Sequence, residues 1–364
     1  MENFRSGLEL CLQQSIGNNY TTNLDEIPVF SPSDKEILMN IRNVARDLMK
    51  TVDWDGYEKS YKLLRDDYSR KLYVDLIVMK AIGPTKKRLP LSDKNIWLKK
   101  FDIEDLCKRE GTASCQNMTF NLFDLRPIGH DYQIYSNPEG IMFAYHLKEY
   151  EYHKNDVRFE AEEGDYIIDG GGFIGDTALY FAEKIGKTGK IFSFEFVKEN
   201  LDVYNKNLEL NPHFKDRIEI FENALWSDSK ENLYVYGIGP ATRVTMSEPP
   251  EYSLKIPSKS IDDLVDEQNI PKIDFIKLDI EGAEIDCLKG AKKTIEKFRP
   301  KLAVCIYHKP DDFITIPQLI NDCHPYYDMY IDHHTATFGE TVLYCVPKKE
   351  CETKIAPKEK ALSV

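Results

Sequence analysis

The sequence predicts an α/β fold, in which helices cover both faces of a mostly parallel sheet. After residue 164 the chain alternates between short apolar runs and segments whose apolar residues have helical spacing, as in a parallel sheet with connecting helices. A glycine-rich turn joins the first apolar run to the first helical segment at 169–175. Acidic residues follow several of the apolar runs. Because α/β sheets bind ligands at the carboxyl ends of their strands, we expect this region to hold a cofactor.

The N-terminal part of the chain has a different pattern. Residues 1–30 show no firm periodicity and are expected to be poorly ordered. Apolar residues then recur at helical spacing to about residue 85, which predicts three helices. Short strands are predicted over 131–161, around a turn at 137–140. We therefore expect residues 31–160 to form a mainly helical cap with a few short strands.

The cofactor-binding domain is expected to span 161–347, followed by a loose polar tail at 348–364. Its seven predicted strands cover 166–169, 190–196, 218–223, 275–280, 302–307, 327–332 and 341–346. Its predicted helices cover 175–185, 199–210, 261–268, 283–298 and 313–323, with an irregular excursion at 225–257. No helix separates the last two strands, so one strand of the seven is expected to run antiparallel.

The composition argues against several classes of protein. The 364 residues carry a formal net charge of -13, and the only compact basic run before the tail is 86–88. A nucleic-acid partner is therefore not expected, because such binding depends on phosphate neutralisation. The sequence shows no signal peptide and no apolar run of ~20 residues, so we expect a cytoplasmic protein without a membrane span. The eight cysteines form no C-x-x-C pair and are expected to be reduced thiols.

The glycine turn by itself favours a dinucleotide. Gly170, Gly172 and Gly175 match the dinucleotide fingerprint, and Glu195 lies 20 residues beyond it. Taken alone, this pattern indicates NAD. Glu195 would accept hydrogen bonds from ribose hydroxyls in NAD or in another nucleoside cofactor.

The neighbouring acids favour a cationic cofactor instead. Asp169 directly precedes the glycines, and Asp279 and Glu281 end the fourth predicted strand. Together with Glu195 they would surround the ligand with carboxylates. Such a site repels a diphosphate and attracts the sulfonium of S-adenosylmethionine.

Five segments, in this order along the chain, resemble the FkbM family of S-adenosylmethionine-dependent methyltransferases. They are Ile168-Asp-Gly-Gly-Gly-Phe-Ile-Gly-Asp-Thr177, Phe192-Ser-Phe-Glu-Phe196, Asn223-Ala224 with Ser227-Asp228, Ile276-Lys-Leu-Asp-Ile-Glu-Gly-Ala-Glu284 and Gly339-Glu-Thr-Val-Leu-Tyr344. The resemblance covers about 165–346, and Lys-x-Asp-x-Glu-Gly-x-Glu is its most specific part. It implies a class I methyltransferase (Rossmann-like) sheet and methyl transfer to a hydroxyl of a sugar, polyketide or other secondary metabolite.

Mapped onto this resemblance, the residues expected to bind the cofactor are Asp169, Gly170, Gly171, Gly175, Glu195, Glu222, Asn223 and Asp279. Asp169 and Gly171 would face the methionine part, and Glu195 the ribose. Glu222 and Asn223 would lie beside the adenine. The family commonly has an asparagine where this chain has Phe173, so the contacts to the methionine part are expected to differ.

Methyl transfer to a hydroxyl requires alignment of the acceptor oxygen and removal of its proton. Asp279 and Glu281 share one face of their strand and are expected at the junction of cofactor and acceptor. His308, which ends the fifth predicted strand, is the candidate base, with Asp279 as its rival. Glu281, His333 and His334 are candidate substrate-binding residues. A metal bound by the two histidines with Asp279 and Glu281 is an alternative, but adjacent strand residues point to opposite faces, and we expect no metal.

Several of these residues also have structural interpretations. Glu284 opens a predicted helix, where an acid stabilises the free amides. Lys277 is expected to pair with a neighbouring acid, and His308 could be a hydrogen-bonded structural residue. The aromatic-rich stretch 132–152 is expected to pack in the core, with stacking on a sugar as the alternative.

The sequence thus predicts an S-adenosylmethionine-dependent O-methyltransferase acting on a hydroxyl of a sugar, glycan precursor or secondary metabolite. The alternatives are an NAD-dependent oxidoreductase that uses the same glycine turn and a non-catalytic cofactor-binding domain. The expected partner is a small-molecule or glycan acceptor. No pattern in the sequence specifies that acceptor or an oligomeric state.

Overall fold

The computed structural model describes residues 4–16, 53–84, 86–116, 118–237, 242–249 and 254–348. The part of the first predicted helix before residue 53 and the tail after residue 348 lie outside the described residues. Of the helices in the described ranges, none combines the length and the apolar content that a bilayer crossing needs.

The secondary structure follows the chain in this order. The described strands are β1 (Lys108–Cys115), β2 (Met118–Asp124), β3 (Gln133–Ser136), β4 (Tyr152–Lys154), β5 (Val157–Phe159), β6 (Tyr166–Gly170), β7 (Lys190–Phe194), β8 (Ile218–Phe221), β9 (Ala224–Leu225), β10 (Asn232–Tyr236), β11 (Arg243–Thr245), β12 (Lys255–Lys259), β13 (Phe275–Leu278), β14 (Lys301–Cys305), β15 (Tyr327–His333) and β16 (Thr341–Pro347). The described helices are α1 (Phe4–Ile16), α2 (Trp54–Leu63), α3 (Asp67–Ile82), α4 (Lys94–Cys107), α5 (Pro138–Ile141), α6 (Asp176–Lys184), α7 (Lys198–Leu210), α8 (Ile261–Glu267), α9 (Glu284–Lys289), α10 (Lys292–Phe298) and α11 (Asp312–Cys323), with a π-helix at Met142–Leu147.

A seven-stranded sheet with the order β15-β16-β14-β13-β6-β7-β8 forms the centre of the fold. Strands β8, β7, β6, β13 and β14 are parallel to one another, and β16 runs antiparallel to both of its neighbours. The α/β class with a large mixed sheet, predicted from the sequence, is confirmed. The strand order reverses beside β6, so the edge after β6 is the topological switch point at which such sheets bind ligands.

Two hydrophobic cores lie on the two faces of this sheet. One core contains buried residues of α1, α3, α8, α10 and α11 together with sheet residues such as Ile276 and Leu302. The other contains buried residues of α4, α6 and α7 together with sheet residues such as Phe275 and Ala303. The adjacent positions 275 and 276 therefore face opposite cores, which is the alternation expected of a strand buried on both sides.

The helices α1 and α3 pack on one face of the sheet, so this part of the predicted cap does not lie over the carboxyl edge. Residues 4–16 were expected to be poorly ordered, but they form α1, and Phe4 is only 2% exposed in the same core as Leu72 of α3. Tyr73 of α3 donates a hydrogen bond to the carbonyl oxygen of Phe313 at 2.8 Å. The apolar positions of α1 and α3 are thus used to complete one outer layer of the sheet.

The predicted turn at 137–140 is instead the start of a helix. The Asn137 side chain accepts a hydrogen bond from the backbone N–H of Gly140 at 2.6 Å, and Pro138 is the first residue of α5. Asn and Pro are favoured both in turns and at helix N-termini. The local sequence is compatible with a turn or with a helix start, and the folded protein has the helix.

The predicted helix 283–298 is divided into α9 and α10. Gly290 lies at the break, and its carbonyl oxygen accepts a hydrogen bond from the N–H of Asp262 at 2.9 Å. A Cβ at Gly290 would collide with the carbonyl oxygen of Trp226. The close approach of these backbone segments requires a glycine and interrupts the helix.

Two asparagines, one in α7 and one directly after it, attach the small sheet β1-β2-β3 to the main domain. Asn207 accepts a hydrogen bond from Tyr135 N at 2.7 Å and donates to the carbonyl oxygens of Tyr135 and Ile174 at 3.1 and 2.8 Å. One turn later, Asn211 accepts from Gln133 N at 3.1 Å and donates to Gln133 O at 2.6 Å. These side chains occupy the free edge of β3, so the small sheet is held firmly beside the carboxyl edge of the main one.

We predict that Asn207→Ala lowers the free energy of unfolding by about 3 kcal/mol, because buried backbone groups of β3 lose their partners. Asn205 is exposed on the same helix, and Asn205→Ala should change stability by no more than about 0.5 kcal/mol. Urea denaturation of both variants measures the difference. Equal losses would show that the hydrogen bonds of Asn207 do not stabilise the attachment.

Candidate active site

A cavity of about 340 Å³ opens at the carboxyl ends of β6, β7 and β13, a volume typical of small-molecule sites. One wall is formed by residues that follow these strands. The opposite wall comes from the region 120–150, which contributes Phe120, Phe143, Glu149 and Tyr150. The excursion after β9 adds Thr242 and Val244.

The structure separates the predicted site residues into two groups. Those that line the cavity are Gly171, Glu195, Asn223, Asp279 and Glu281. Those that do not line it are Asp169, Gly170, Gly175, Glu222, His308, His333 and His334. Direct contact with a ligand in this cavity is therefore supported for the first group, and the second group supports the site from behind or lies elsewhere.

Asp169 is held behind the cavity by a buried ion pair. The ammonium of Lys277 lies 3.1 Å from Asp169 Oδ1 and donates to the carbonyl oxygen of Gly171 at 2.6 Å. Ser193 Oγ donates to the other carboxylate oxygen at 2.9 Å. Burial would lower the pKa of Lys277, but the charges of Asp169 and Asp279 outweigh it and raise this pKa. The pairing of Lys277 with a neighbouring acid is confirmed, and Asp169 holds the glycine turn from behind without lining the cavity.

The glycines permit close packing around this pair. Gly171 has φ +83°, and a Cβ there would collide with the carbonyl oxygen of Asp279. Gly175 has φ +84°, and a Cβ there would collide with the ring of Tyr204. A side chain at Gly171 or Gly175 would therefore be disfavoured by both conformation and space. Gly171 also lines the cavity, whereas Gly175 allows α7 to pack on the turn.

Phe173 takes a different role from the asparagine common in the family. Its ring packs edge-on against Phe120 of β2, with ring centroids 5.9 Å apart. Both residues line the cavity. The departure from the family pattern therefore provides an apolar contact between the glycine turn and the small sheet.

Glu195 is anchored at the end of β7. Its Oε1 accepts hydrogen bonds from the backbone N–H groups of Phe196 and Val197, both at 2.7 Å. Its side chain is buried but reaches the cavity, and burial raises its pKa. Asn223 also lines the cavity, with its amide bonded to the carbonyl oxygen of Pro257 at 3.2 Å. Glu222 is exposed outside the cavity, which removes the basis for its adenine role.

At the other end of the cavity from Glu195, Asp279 is surrounded by hydrogen-bonding side chains. Tyr150 donates a hydrogen bond to Asp279 Oδ2 at 3.1 Å, and the Tyr307 hydroxyl lies 3.2 Å from Asp279 Oδ1 and 3.0 Å from Glu340 Oε2. Burial raises the pKa of Glu340 to about 7, with the charge of Asp279 as the next cause. Burial also raises the pKa of Glu149 well above its usual range. The raised pKa values favour partial or full protonation of these two acids and so reduce the negative charge around Asp279.

Sequence reasoning did not select Glu149, Tyr307 or Glu340, and it named Tyr150 only within the aromatic-rich stretch, where stacking on a sugar was the alternative to packing. Glu340 lies in a segment that resembles the family, so its position could have been found. Glu149 and Tyr150 come from a region without a motif, and only the tertiary structure places them at the cavity.

His308 is enclosed by carboxylates and does not face the cavity. Its Nδ1 is 2.8 Å from Glu284 Oε1, and its Nε2 is 3.3 Å from Asp279 Oδ1 and 3.5 Å from Glu281 Oε1. Burial lowers the pKa of His308, but the three carboxylates outweigh it and raise the pKa to about 12. A ring that retains its proton cannot take one from an acceptor, so the prediction of His308 as the base is not supported. Glu284 also accepts from Ile280 N at 3.0 Å, a backbone group of the loop before α9 and not one of the helix amides.

His333 and His334 have structural hydrogen bonds away from the cavity. His333 Nδ1 lies 2.8 Å from Thr341 Oγ1, and His334 Nε2 lies 2.8 Å from the Tyr344 hydroxyl. Both side chains are buried, and burial lowers the pKa of each to about 4. Their predicted role in substrate binding is not supported, because their polar atoms make hydrogen bonds within the sheet and neither residue lines the cavity.

The charge of the cavity fits S-adenosylmethionine. Among the described lining residues, the acids are Glu139, Glu149, Asp176, Glu195, Asp279, Glu281 and Glu340, and the one Lys or Arg is Lys277. The ammonium of Lys277 is already bound by Asp169 and the carbonyl oxygen of Gly171. The wall thus has no free cation for a diphosphate but favours a positively charged sulfur.

Comparison with known proteins identifies the domain. Residues 162–340 match the model of the methyltransferase FkbM domain family. The hexuronic acid methyltransferase AglP of Haloferax volcanii is 28% identical over 137 residues, which are 38% of this chain and 54% of that protein. The crystal structure of methyltransferase FkbM from Methylobacillus flagellatus KT aligns with a TM-score of 0.52 and 18% identity, over 83% of this chain and 60% of that chain.

The chain therefore spans about half the length of the curated relative it matches and less than two thirds of the structural one. At 18% identity, the structural match shows the fold alone. The family match confirms both the resemblance found in the sequence and S-adenosylmethionine as the cofactor, and the NAD alternative is not retained. The chain carries a methyltransferase domain of the FkbM family over residues 162–340.

Proposed function

We propose that this protein methylates a hydroxyl of a sugar or glycan precursor. One observation carries the proposal: a single cavity joins Glu195 to a polar and aromatic pocket around Asp279. Glu195 is suited to the ribose of the cofactor, and the Asp279 pocket to a hydroxylated ring. Both ends are reached without crossing the sheet, so cofactor and acceptor can meet at its carboxyl edge.

The cofactor end of the cavity is formed by anchored groups. When bound, S-adenosylmethionine supplies a methyl group already activated by its positively charged sulfur. Glu195 would accept hydrogen bonds from the ribose hydroxyls, since its other contacts hold its side chain in place. Gly171 permits close approach of the backbone, and Asn223 would lie near the base. The acidic wall would favour the cationic centre.

The acceptor end has the groups that a sugar hydroxyl requires. The rings of Phe143, Tyr150 and Tyr307 line the cavity and provide apolar faces for a pyranose. Asp279 and Glu340 line the same end and can accept the hydrogen bond of an acceptor hydroxyl. Orientation of that hydroxyl by Asp279 would direct an oxygen lone pair at the activated methyl group. Burial would raise the pKa of Asp279, but His308 and Lys277 outweigh it and hold this pKa well below its usual range. We therefore propose that Asp279, in place of His308, orients the acceptor hydroxyl as a hydrogen-bond acceptor.

The choice of a sugar is supported by the related hexuronic acid methyltransferase. The acidic wall disfavours methylation of a carboxylate, because a second anion would be desolvated beside Asp279. A hydroxyl is neutral and does not meet this repulsion. We therefore propose formation of a methyl ether and not of a methyl ester.

We predict that Glu195→Ala weakens the affinity for S-adenosylmethionine by about 10- to 100-fold, the range expected when a charge-assisted hydrogen bond is lost. Glu199 is exposed at the start of the following helix, and Glu199→Ala should bind the cofactor as the unaltered protein does. Isothermal titration calorimetry measures both. Unchanged affinity in Glu195→Ala would remove the ribose assignment.

Methyl transfer is tested with methyl-labelled S-adenosylmethionine and a panel of neutral hexoses, hexuronic acids and their nucleotide-linked forms. We expect a labelled product that survives mild alkali, because a methyl ether is stable where a methyl ester is hydrolysed. We expect Asp279→Asn to lower kcat by about 10²-fold or more. Alkali-labile label would contradict transfer to a hydroxyl, and cofactor binding without transfer to any acceptor would favour a non-catalytic domain.

A further inference from the structure

We propose that Asp279, Glu281 and His308 bind a divalent metal ion at the wall of the cavity. The three potential ligand atoms, one from each side chain, lie within 4.8 Å of one another. Two carboxylate oxygens and an imidazole nitrogen form a donor set suited to Mn²⁺ or Zn²⁺. Asp279 and Glu281 also line the cavity, so an ion here would be accessible to an acceptor.

The orientation of His308 is the observation that points to a ligand. Its side chain is only 2% exposed, and its Nε2 makes no hydrogen bond although it is directed at two carboxylates. Nε2 lies 3.3 Å from Asp279 Oδ1 and 3.5 Å from Glu281 Oε1. Adjacent donors around a metal are separated by roughly 3.0–3.4 Å when the metal–ligand bonds are about 2.1 Å. These spacings are long for hydrogen bonds and suited to atoms that share an ion.

The other ring nitrogen is held as in many metal-binding histidines. Glu284 Oε1 lies 2.8 Å from His308 Nδ1. A carboxylate that accepts the Nδ1 hydrogen fixes the ring orientation, so a metal ion that displaces the Nε2 proton would bind the Nε2 lone pair. The short connection Asp279–Glu284 therefore supplies both carboxylate ligands and the carboxylate that positions the histidine.

The balance of charge also favours a divalent ion. Three carboxylates surround His308, and one imidazolium offsets only one of them. Arg243 approaches Glu281 Oε2 at 3.6 Å but is 40% exposed. Buried carboxylates require a compensating cation. Replacement of the imidazolium proton by a divalent ion leaves less uncompensated negative charge.

A second cluster of possible metal ligands has carboxylates that are already paired with cationic side chains. Glu151, His153 and Glu160 also place three potential ligand atoms within 4.8 Å of one another. There, however, Lys184 lies 2.6 Å from Glu151 Oε1 and 3.0 Å from Glu160 Oε2, and Arg158 pairs with Glu160. These carboxylates already have cations, so this cluster is a matched control that should not bind a metal.

The chemical role of the ion rests on the proposed function. A metal at Asp279 and Glu281 would bind the acceptor hydroxyl and hold its oxygen in line with the methyl group. Metal binding itself can be measured without an acceptor or cofactor. Failure of the proposed methyl transfer would therefore leave this test unaffected.

The test is titration of the full chain with Mn²⁺, followed by electron paramagnetic resonance. We expect bound Mn²⁺ whose pulsed spectrum shows coupling to an imidazole nitrogen. His308→Ala should abolish this coupling, and both His308→Ala and Glu281→Gln should weaken Mn²⁺ affinity at least about tenfold. His153→Ala should leave coupling and affinity unchanged. Circular dichroism shows whether each variant folds. If His308→Ala does not fold, the proposal is decided by the Mn²⁺ affinity of Glu281→Gln and by the nitrogen coupling in the unaltered protein.

Three results would overturn the proposal. The first is no bound Mn²⁺ in the unaltered protein at millimolar metal. The second is loss of binding in His153→Ala with retention in His308→Ala. The third is binding without nitrogen coupling that is lost in Glu340→Gln, which would place the ion among Glu149, Asp279 and Glu340 instead.

Discussion

The buried ion pair between Lys277 and Asp169 is the constraint on which the site depends. These residues are register partners on the adjacent strands β13 and β6, at the point where the strand order reverses. Lys277 also binds the carbonyl oxygen of Gly171, so one ammonium fixes two strands and the glycine turn. Loss of one partner of a buried pair costs about 3 to 5 kcal/mol. The turn is therefore held rigidly before any ligand binds.

The same pair determines where negative charge reaches the cavity. Asp169 is paired with Lys277 behind the turn, and burial raises the pKa values of Glu149 and Glu340. The burial of Asp279 is outweighed by His308 and Lys277, which hold its pKa well below its usual range, so Asp279 carries a stable negative charge in the cavity wall. This wall contains many acidic residues, but their pKa values differ because they are buried to different extents and have different partners.

The acceptor end is assembled from distant parts of the chain. Tyr150 comes from the N-terminal half, Tyr307 follows β14, and Glu340 precedes β16, yet all three surround Asp279. Asn207 and Asn211 hold the small sheet, which contributes Phe120 and Ser136 to the opposite wall of the cavity. A substitution far from the cofactor motif can therefore alter the cavity wall through this attachment.

Local chemistry made a large part of the cofactor domain predictable. Strand-helix alternation, the glycine turn and the carboxylate at the end of each strand have short-range signals, so the predicted strand positions and Glu195, Asn223, Asp279 and Glu281 at the cavity follow from the sequence. Only the tertiary structure decided which acids are neutralised, because the partner of Asp169 lies 108 residues later at Lys277. It also decided that His308 is enclosed by carboxylates and that the N-terminal helices cover the sheet. Burial and pairing depend on contacts between distant residues, and a pattern along the chain does not contain them.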